Sequence, residues 1–334
     1  MNSKLKAALK YSVFIAIGGT LFFLAFKNTE WSKLSEDFSQ ARYEYIFLSM
    51  LMGFLAFASR GIRWTYLLEP IGYKVNTWRA IHSISMGYFM NMLIPRAGEV
   101  ARCTTLNQTD KVPVDKLIGT VILERVIDFI MLALLICLTL ILEYDNILSF
   151  FDVTMGNSES NVDGGIGWKT ILAIVFMVFV IALYFMRSKL RKHPFYKKIK
   201  DFWAGLVEGL KSISKLEHKW FFIGHTLFIW AMYFLMSYVV VFALDSTSHI
   251  DPSAGLFVMI VGAFGIIAPS PGGIGSYHYL AMIGMGVIGI ANDDALSFAT
   301  LVHTGQTVMT IMAGIVATFV VYKTRRKNKL ASAQ

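Results

Sequence analysis

The sequence predicts an all-α fold: a polytopic membrane bundle of six full spans and two re-entrant helical hairpins, arranged as an inverted repeat. Of the 334 residues, 55% are hydrophobic and only 16% are charged, which is typical of a polytopic membrane protein. Two apolar segments are interrupted by proline and glycine, and the basic residues cluster at the ends of apolar segments. We therefore interpret the chain 1–334 as a single integral membrane domain.

Composition also excludes several other classes of protein. The net charge of +9 does not indicate nucleic-acid binding, because Lys and Arg cluster where membrane topology requires them. Cys103 and Cys137 are too few for a disulfide framework and have no metal-ligand spacing. The chain has no Walker A pattern, so we do not expect its activity to be driven directly by ATP. We expect no cofactor, no metal and no nucleic-acid partner.

Apolar length predicts six full spans and one surface helix. The spans cover 9–26, 45–68, 117–142, 169–186, 220–244 and 295–322. Between the fourth and fifth spans, apolar residues recur at helical spacing over 195–215, beside several lysines. This pattern predicts an amphipathic helix that lies on an anionic leaflet.

Two further apolar segments, 79–116 and 254–291, are too short on each side of a break to cross a membrane. Each arm of 254–291 has roughly 15 residues and reaches about 22 Å, against a hydrocarbon core about 30 Å thick. Its break cannot be helical, because it contains Pro269, Pro271, Gly272, Gly273 and Gly275. Such breaks are tolerated only against protein or water, and in transporters they mark substrate sites.

The distribution of charge gives the two hairpins opposite orientations. Residues 187–219 have ten basic and three acidic residues, whereas 143–168 has five acidic residues and no Lys or Arg. The positive-inside rule then places both termini and 187–219 in the cytoplasm and 143–168 outside. Consequently 79–116 must enter from the cytoplasm and 254–291 from the exterior, which produces an inverted repeat.

Charged residues inside apolar segments are the first candidates for function. Glu124, Arg125 and Asp128 lie well inside the third span, where charge costs several kcal/mol unless it is paired or faces water. Two interpretations stay open for them: a functional polar site, or a structural ion pair that clamps two helices. For Arg60 and Arg63 we favour snorkelling and cytoplasmic anchoring over an anion-binding pair that faces the interior.

Two other polar groups are candidates for function, one beside the first predicted break and one in the last span. Arg96, Glu99 and Arg102 follow Pro95 closely and form the densest charged cluster beside an apolar arm, for which we favour a functional role. In the last span, one helical face is polar and includes His303, Gln306, Thr307 and Thr310. Such a face indicates a polar partner or a cavity.

Three motifs carry a resemblance to a known family. They are Pro95-x-x-Gly98-Glu99-x-x-Arg102, Glu124-Arg125-x-x-Asp128 and Pro269-x-Pro271-Gly272-Gly273-x-Gly275. With them, nearly the whole chain resembles the lysylphosphatidylglycerol synthase transmembrane, or flippase-like, family of bacterial and archaeal membrane proteins. The resemblance implies a helical fold with re-entrant segments in the cell (inner) membrane, and translocation of lipids with bulky or charged headgroups. His278 departs from the acidic residue that is frequent at its position.

We therefore expect a lipid translocase that moves a phospholipid or polyprenyl-linked headgroup through a polar groove between the two halves. Membrane lipids with anionic or zwitterionic headgroups are the expected partners, together with a lipid-synthesising enzyme. The alternatives are an intramembrane enzyme that modifies lipid headgroups, using Glu99 or Glu124 with His278 or His303, and a scaffold for a lipid-processing partner. No separate catalytic domain is recognised, so the chain is not expected to be an enzyme.

The roles expected within the translocase are specific. Arg96 and Arg102 would bind phosphate, Glu99 would orient them, and Glu124 and Asp128 would line or gate the path. The candidate substrate-binding and translocation residues, none of them catalytic, are Arg60, Arg63, Arg96, Glu99, Arg102, Glu124, Arg125, Asp128, Pro269, Pro271, Gly272, Gly273, Gly275, His278, His303 and Gln306.

Overall fold

A computed structural model describes residues 3–154 and 216–331. Within these residues the chain is helical and contains no β-strand, so the all-α prediction is confirmed. The predicted span 169–186 and the predicted surface helix 195–215 lie outside the described residues. The described α-helices are α1 Ser3–Phe26, α2 Trp31–Gln40, α3 Tyr43–Leu68, α4 Thr77–Leu93, α5 Gly98–Asp110, α6 Val114–Leu142, α7 Tyr144–Thr154, α8 Lys219–Tyr238, α9 Pro252–Ile267, α10 Ser276–Val287 and α11 Asn292–Ala331.

Four of the described helices have the length and hydropathy to cross a membrane. They are α3, α6, α8 with the 3-10 turn that follows it, and α11. Helices α1 and α2 meet at a bend of 88° and add a fifth span if the pair is counted as one. The described chain thus contains four or five candidate spans, and the finer arrangement of six spans and two hairpins stays a prediction.

Helices α4 and α5 form a tight helical pair around the first proline-glycine break. Helix α4 begins at an Asn76 cap, whose Oδ1 accepts a hydrogen bond from the Arg79 amide at 3.3 Å. It ends at Leu93, and Arg96 in the turn has a left-handed backbone with φ of 65°. The amide of Gly98 then donates to Asn91 Oδ1 at 2.6 Å, which ties the start of α5 back to α4.

Helices α9 and α10 form a second pair around the second break. The Asp251 carboxylate caps α9 by accepting from the amides of Ser253 and Ala254 at 2.8 and 3.0 Å. Between the helices, Gly272, Gly273 and Gly275 all have positive φ, which explains why this break is rich in glycine. The chain therefore leaves the helical conformation at the two breaks that the sequence indicated.

The two breaks approach each other. The Cα of Met92, near the end of α4, lies 3.8 Å from the place that a Cβ on Gly272 would occupy. Helix α11 packs against both α4 and α10, and Phe89 of α4 fits against Gly314 of α11. One buried apolar cluster lies around α9, α10 and α11, and another around α3, α4 and α5. Each helical pair therefore has its own packed core, and the tips meet between them.

A substitution at Gly98 tests the close contact between α4 and α5. A Cβ at this position would meet the Gly87 carbonyl oxygen and would lie 2.6 Å from Asn91 Cγ. We expect Gly98→Ala to destabilise the chain by about 1–3 kcal/mol, because overpacking forces backbone to move. The measurement is the apparent melting temperature of the purified protein in detergent.

Gly119→Ala is the matched control for this experiment. Gly119 lies inside α6, and a Cβ there would meet nothing within 4 Å. Its replacement should leave the melting temperature unchanged or raise it slightly, since alanine favours a helix interior. Equal shifts in both variants would contradict the close packing at Gly98.

Candidate functional site

Charged side chains from three helices meet inside the bundle and form what we call the charge cluster. Arg60 and Arg63 come from α3, and Glu99 and Arg102 come from α5. Helix α6 contributes Glu124, Arg125 and Asp128. Four guanidinium groups face three carboxylates, so the charge cluster has one surplus positive charge.

Glu124 is the centre of the charge cluster. Its side chain is completely buried, with 0% of its surface exposed. Its Oε1 accepts hydrogen bonds from Arg60 Nε at 2.7 Å and Arg63 Nη2 at 2.9 Å. Its Oε2 accepts from Arg102 Nη1 at 2.8 Å. A buried carboxylate requires this kind of compensation, so Glu124 joins α3, α5 and α6 at one point.

Asp128 forms the second acidic position, one helical turn further along α6. It accepts hydrogen bonds from Arg60 Nη2 and from Arg63 Nη2, the latter at 3.0 Å. Arg125 Nη2 lies 3.2 Å from Asp128 Oδ2. Since the Asp128 side chain is only 13% exposed, the two acidic residues and the two α3 arginines form a largely enclosed network.

This arrangement corrects the anchoring interpretation of Arg60 and Arg63. Both side chains are buried rather than snorkelling, at 3% and 0% exposure. Arg60 Nη1 also donates to the hydroxyls of Tyr88 and Tyr233 at 3.0 Å each, and Arg63 Nη1 donates to Thr226 at 3.1 Å. These hydrogen bonds consume donors that a bound anion would otherwise use.

Several members of the site were missed at the sequence level because they are ordinary aromatic or amide residues. Tyr88 and Tyr233 share a hydrogen bond of 2.8 Å above Arg60. The Trp64 indole donates to Thr120 at 2.8 Å, and the Arg102 guanidinium lies over the Trp64 ring at 4.9 Å. Trp64 therefore contacts an arginine of another helix, which local spacing does not reveal.

A recess opens beside the charge cluster. Its volume is about 60 Å³, enough for a few water molecules. Glu99 and Arg125 are partly exposed, at 39% and 46% of their side-chain surface, whereas Arg102 is 4% exposed. The residues that line the recess are Arg60, Ile84, Gly87, Tyr88, Asn91, Gly98, Glu99, Arg102 and Arg125.

Two expected roles can be compared with this recess. Glu124 and Asp128 are absent from its lining and lie within the ion network, and their expected role of lining or gating a path stays a prediction. Arg96 is exposed in the turn after Pro95 and lies outside both the charge cluster and the lining of the recess, so the structure does not place it beside Arg102. The arginines that do lie at the recess are Arg60, Arg102 and Arg125.

The second break builds a separate, largely aromatic environment. His303 Nε2 lies 2.9 Å from the Gly272 carbonyl oxygen, and the rings of His278 and His303 are 4.8 Å apart. Phe26 lies 5.7 Å from the His278 ring. The other residues proposed here, Pro269, Pro271 and Gln306, are half-buried, whereas Gly273 and Gly275 are buried. These residues lie outside the lining of the recess.

Over residues 3–154 and 216–331, no group of three or more His, Cys, Asp or Glu side chains is arranged to hold a metal ion. The carboxylates of the charge cluster are instead bound to arginines. Guanidinium groups at a partly open recess are of the kind that binds anions in proteins.

Helices of span length that enclose charge define a multi-pass integral membrane protein. The chain belongs to the family described as "Lysylphosphatidylglycerol synthase TM region", whose model matches residues 11–314, and the resemblance stated from the three motifs is confirmed. A relative is the UPF0104 membrane protein MJ1595 of Methanocaldococcus jannaschii, 23% identical over 309 residues, or 86% of this chain and 87% of the relative. No solved structure matches the chain.

Glu124→Gln tests whether the charge cluster holds the fold together. The neutral amide leaves three buried guanidinium groups with too little negative charge, so we expect a loss of about 3–5 kcal/mol of stability, as for other broken buried ion pairs. The measurement is the apparent melting temperature in detergent. The control is Asp115→Asn, which changes an exposed carboxylate on the same helix. If both variants melt like the wild type, Glu124 does not have the structural role described here.

Proposed function

We propose that the chain is a lipid translocase that moves the polar headgroup of a phospholipid or polyprenyl-linked lipid between leaflets while its tails stay in the bilayer. The observation that carries the proposal is the recess beside Arg102 and Arg125. This recess is polar and positively charged, and it lies inside a bundle of span-length helices. Buried ionisable groups in membrane proteins mark substrate pathways, which favours a route for a charged headgroup.

The proposal includes a topology. The two helical pairs, α4–α5 and α9–α10, would re-enter the membrane from the cytoplasm and the exterior, and with the span at 169–186 they would complete an inverted repeat. Both termini would lie in the cytoplasm of a bacterial or archaeal cell. Support comes from the distribution of basic residues and from the approach of Met92 to Gly272, where the two breaks meet.

Within the translocase the charged residues divide into two groups. Arg102 and Arg125 would bind the headgroup, because they lie on the wall of the recess. Arg63, Glu124 and Asp128 would hold the helices in place from behind. No covalent step is proposed, and the aminoacyl transfer suggested by the family's name is not carried over. A lipid-synthesising enzyme would supply the substrate.

The proposal is tested in liposomes that contain the purified full chain and a fluorescent phosphatidylglycerol. Dithionite quenches only the outer leaflet, so translocation appears as quenching beyond about half of the signal in symmetric vesicles. We expect Arg125→Gln to slow translocation roughly tenfold, because one interaction with a charged group contributes about 1.5–3 kcal/mol. Arg125 is partly exposed, so its replacement should leave the fold intact.

Arg326→Gln serves as the control, since Arg326 is exposed near the far end of α11. It should translocate the probe at the wild-type rate. Wild-type protein that leaves the inner leaflet protected would refute the proposal. Mass spectrometry of the recovered lipid adds a second criterion, because a new covalent headgroup would instead identify an enzyme.

A further inference from the structure

We infer that the Glu99 carboxylate occupies the binding site of a lipid phosphate group, between Arg102 and Arg125. When the substrate binds, its phosphate would displace the carboxylate from this site. This inference rests on the proposed function and names the class of headgroup that the recess accepts: an anionic, phosphate-bearing one. Glu99 would then be a built-in competitor of the substrate.

The position of Glu99 supports this assignment. Its Oε2 lies 2.7 Å from Arg102 Nε, and its Oε1 lies 3.4 Å from Arg125 Nε. One carboxylate therefore bridges two guanidinium groups from different helices, at the mouth of the recess. Two guanidinium groups around one anion are also the arrangement that binds a phosphate.

The contacts of Glu99 differ in kind from those of Glu124. Although Glu99 Oε2 is close to Arg102, neither Glu99 Oε2 nor Arg102 Nε makes an aligned hydrogen bond. Glu124, in contrast, accepts aligned hydrogen bonds from Arg60, Arg63 and Arg102. An ion pair without directional bonds loses less when one anion replaces another, so Glu99 is the carboxylate that can exchange.

Arg102 has a hydrogen-bond donor without a partner. Its side chain is 4% exposed, and its Nη2 has no hydrogen-bond partner. Buried guanidinium nitrogens are normally paired, so an unpartnered one on the wall of a recess is available to a ligand. A phosphate has more acceptor oxygens than a carboxylate and would reach Nε and Nη2 together, as in the bidentate pairs that arginine forms.

The charge of the site favours the same class of ligand. With Glu99 in place, the charge cluster carries one surplus positive charge, and with Glu99 displaced it carries two. A phosphodiester brings about one negative charge, and a phosphomonoester about 1.5 to 2. A phosphodiester would restore the surplus of about one that Glu99 leaves, and a phosphomonoester would nearly neutralise the site. A neutral or cationic headgroup would leave both positive charges unpaired.

The experiment measures binding to the full chain purified in detergent, by titration calorimetry at low salt. The probes are dihexanoylphosphatidic acid, the neutral dihexanoylglycerol, and inorganic phosphate. We expect the wild type to bind the phosphatidic acid and not the neutral lipid. Glu99→Gln should tighten binding about five- to tenfold, because it removes the competing charge.

Three variants make the outcome decisive. Arg125→Gln should weaken binding of the phosphatidic acid, while Glu44→Gln, an exposed carboxylate at the start of α3, should leave the affinity unchanged. Unchanged or weaker binding by Glu99→Gln, or equal binding of the neutral lipid, would overturn the inference. Equal affinity for inorganic phosphate would overturn the assignment of the group to a lipid.

Refutation of the role of Glu99 can be distinguished from refutation of the translocase. Translocation by the wild type with no effect of Glu99→Gln on affinity would refute the role of Glu99 and leave the translocase standing. Phosphatidic acid binding that depends on Glu99, without movement between leaflets, would refute the translocase and leave the phosphate site standing.

Discussion

The fully buried carboxylate of Glu124 is the constraint on which the rest of the structure depends. Removing a charge from water is costly, and the cost is offset only when several aligned donors replace the lost hydration. Three arginines from α3 and α5 supply those donors. The ion network therefore joins α3 and α5 to α6 in addition to their apolar packing, and the recess lies at the open edge of that network.

Much of the fold could be predicted from the sequence because apolar length and helix breakers act locally. The long apolar runs became α3, α6, α8 and α11, and the runs broken by proline and glycine became two helical pairs. Each of these features depends on neighbouring residues alone. A helix over Tyr144–Thr154 was missed, since its acidic residues suggested only an external loop.

The partners inside the charge cluster could not be predicted because they are far apart in the sequence. Arg60 lies 64 positions from Glu124 and 173 from Tyr233, yet it hydrogen-bonds to both. Local pattern suggested snorkelling for Arg60, and only its burial among α4, α6 and α8 excludes it. In the same way, Arg96 and Arg102 look equivalent in the sequence, but the turn after Pro95 directs only Arg102 into the bundle.

The size of the recess limits how a headgroup could pass. The recess of about 60 Å³ accommodates a few water molecules, so in the proposed translocase part of its wall would move to admit a lipid headgroup. The residues around Glu124 are fixed by aligned hydrogen bonds and are poor candidates for movement. Glu99 and Arg125 are held by non-directional ion contacts and are partly exposed. In the proposed translocase, an opening on the α5 side, beside the proline-glycine turn, would therefore cost the least stabilisation.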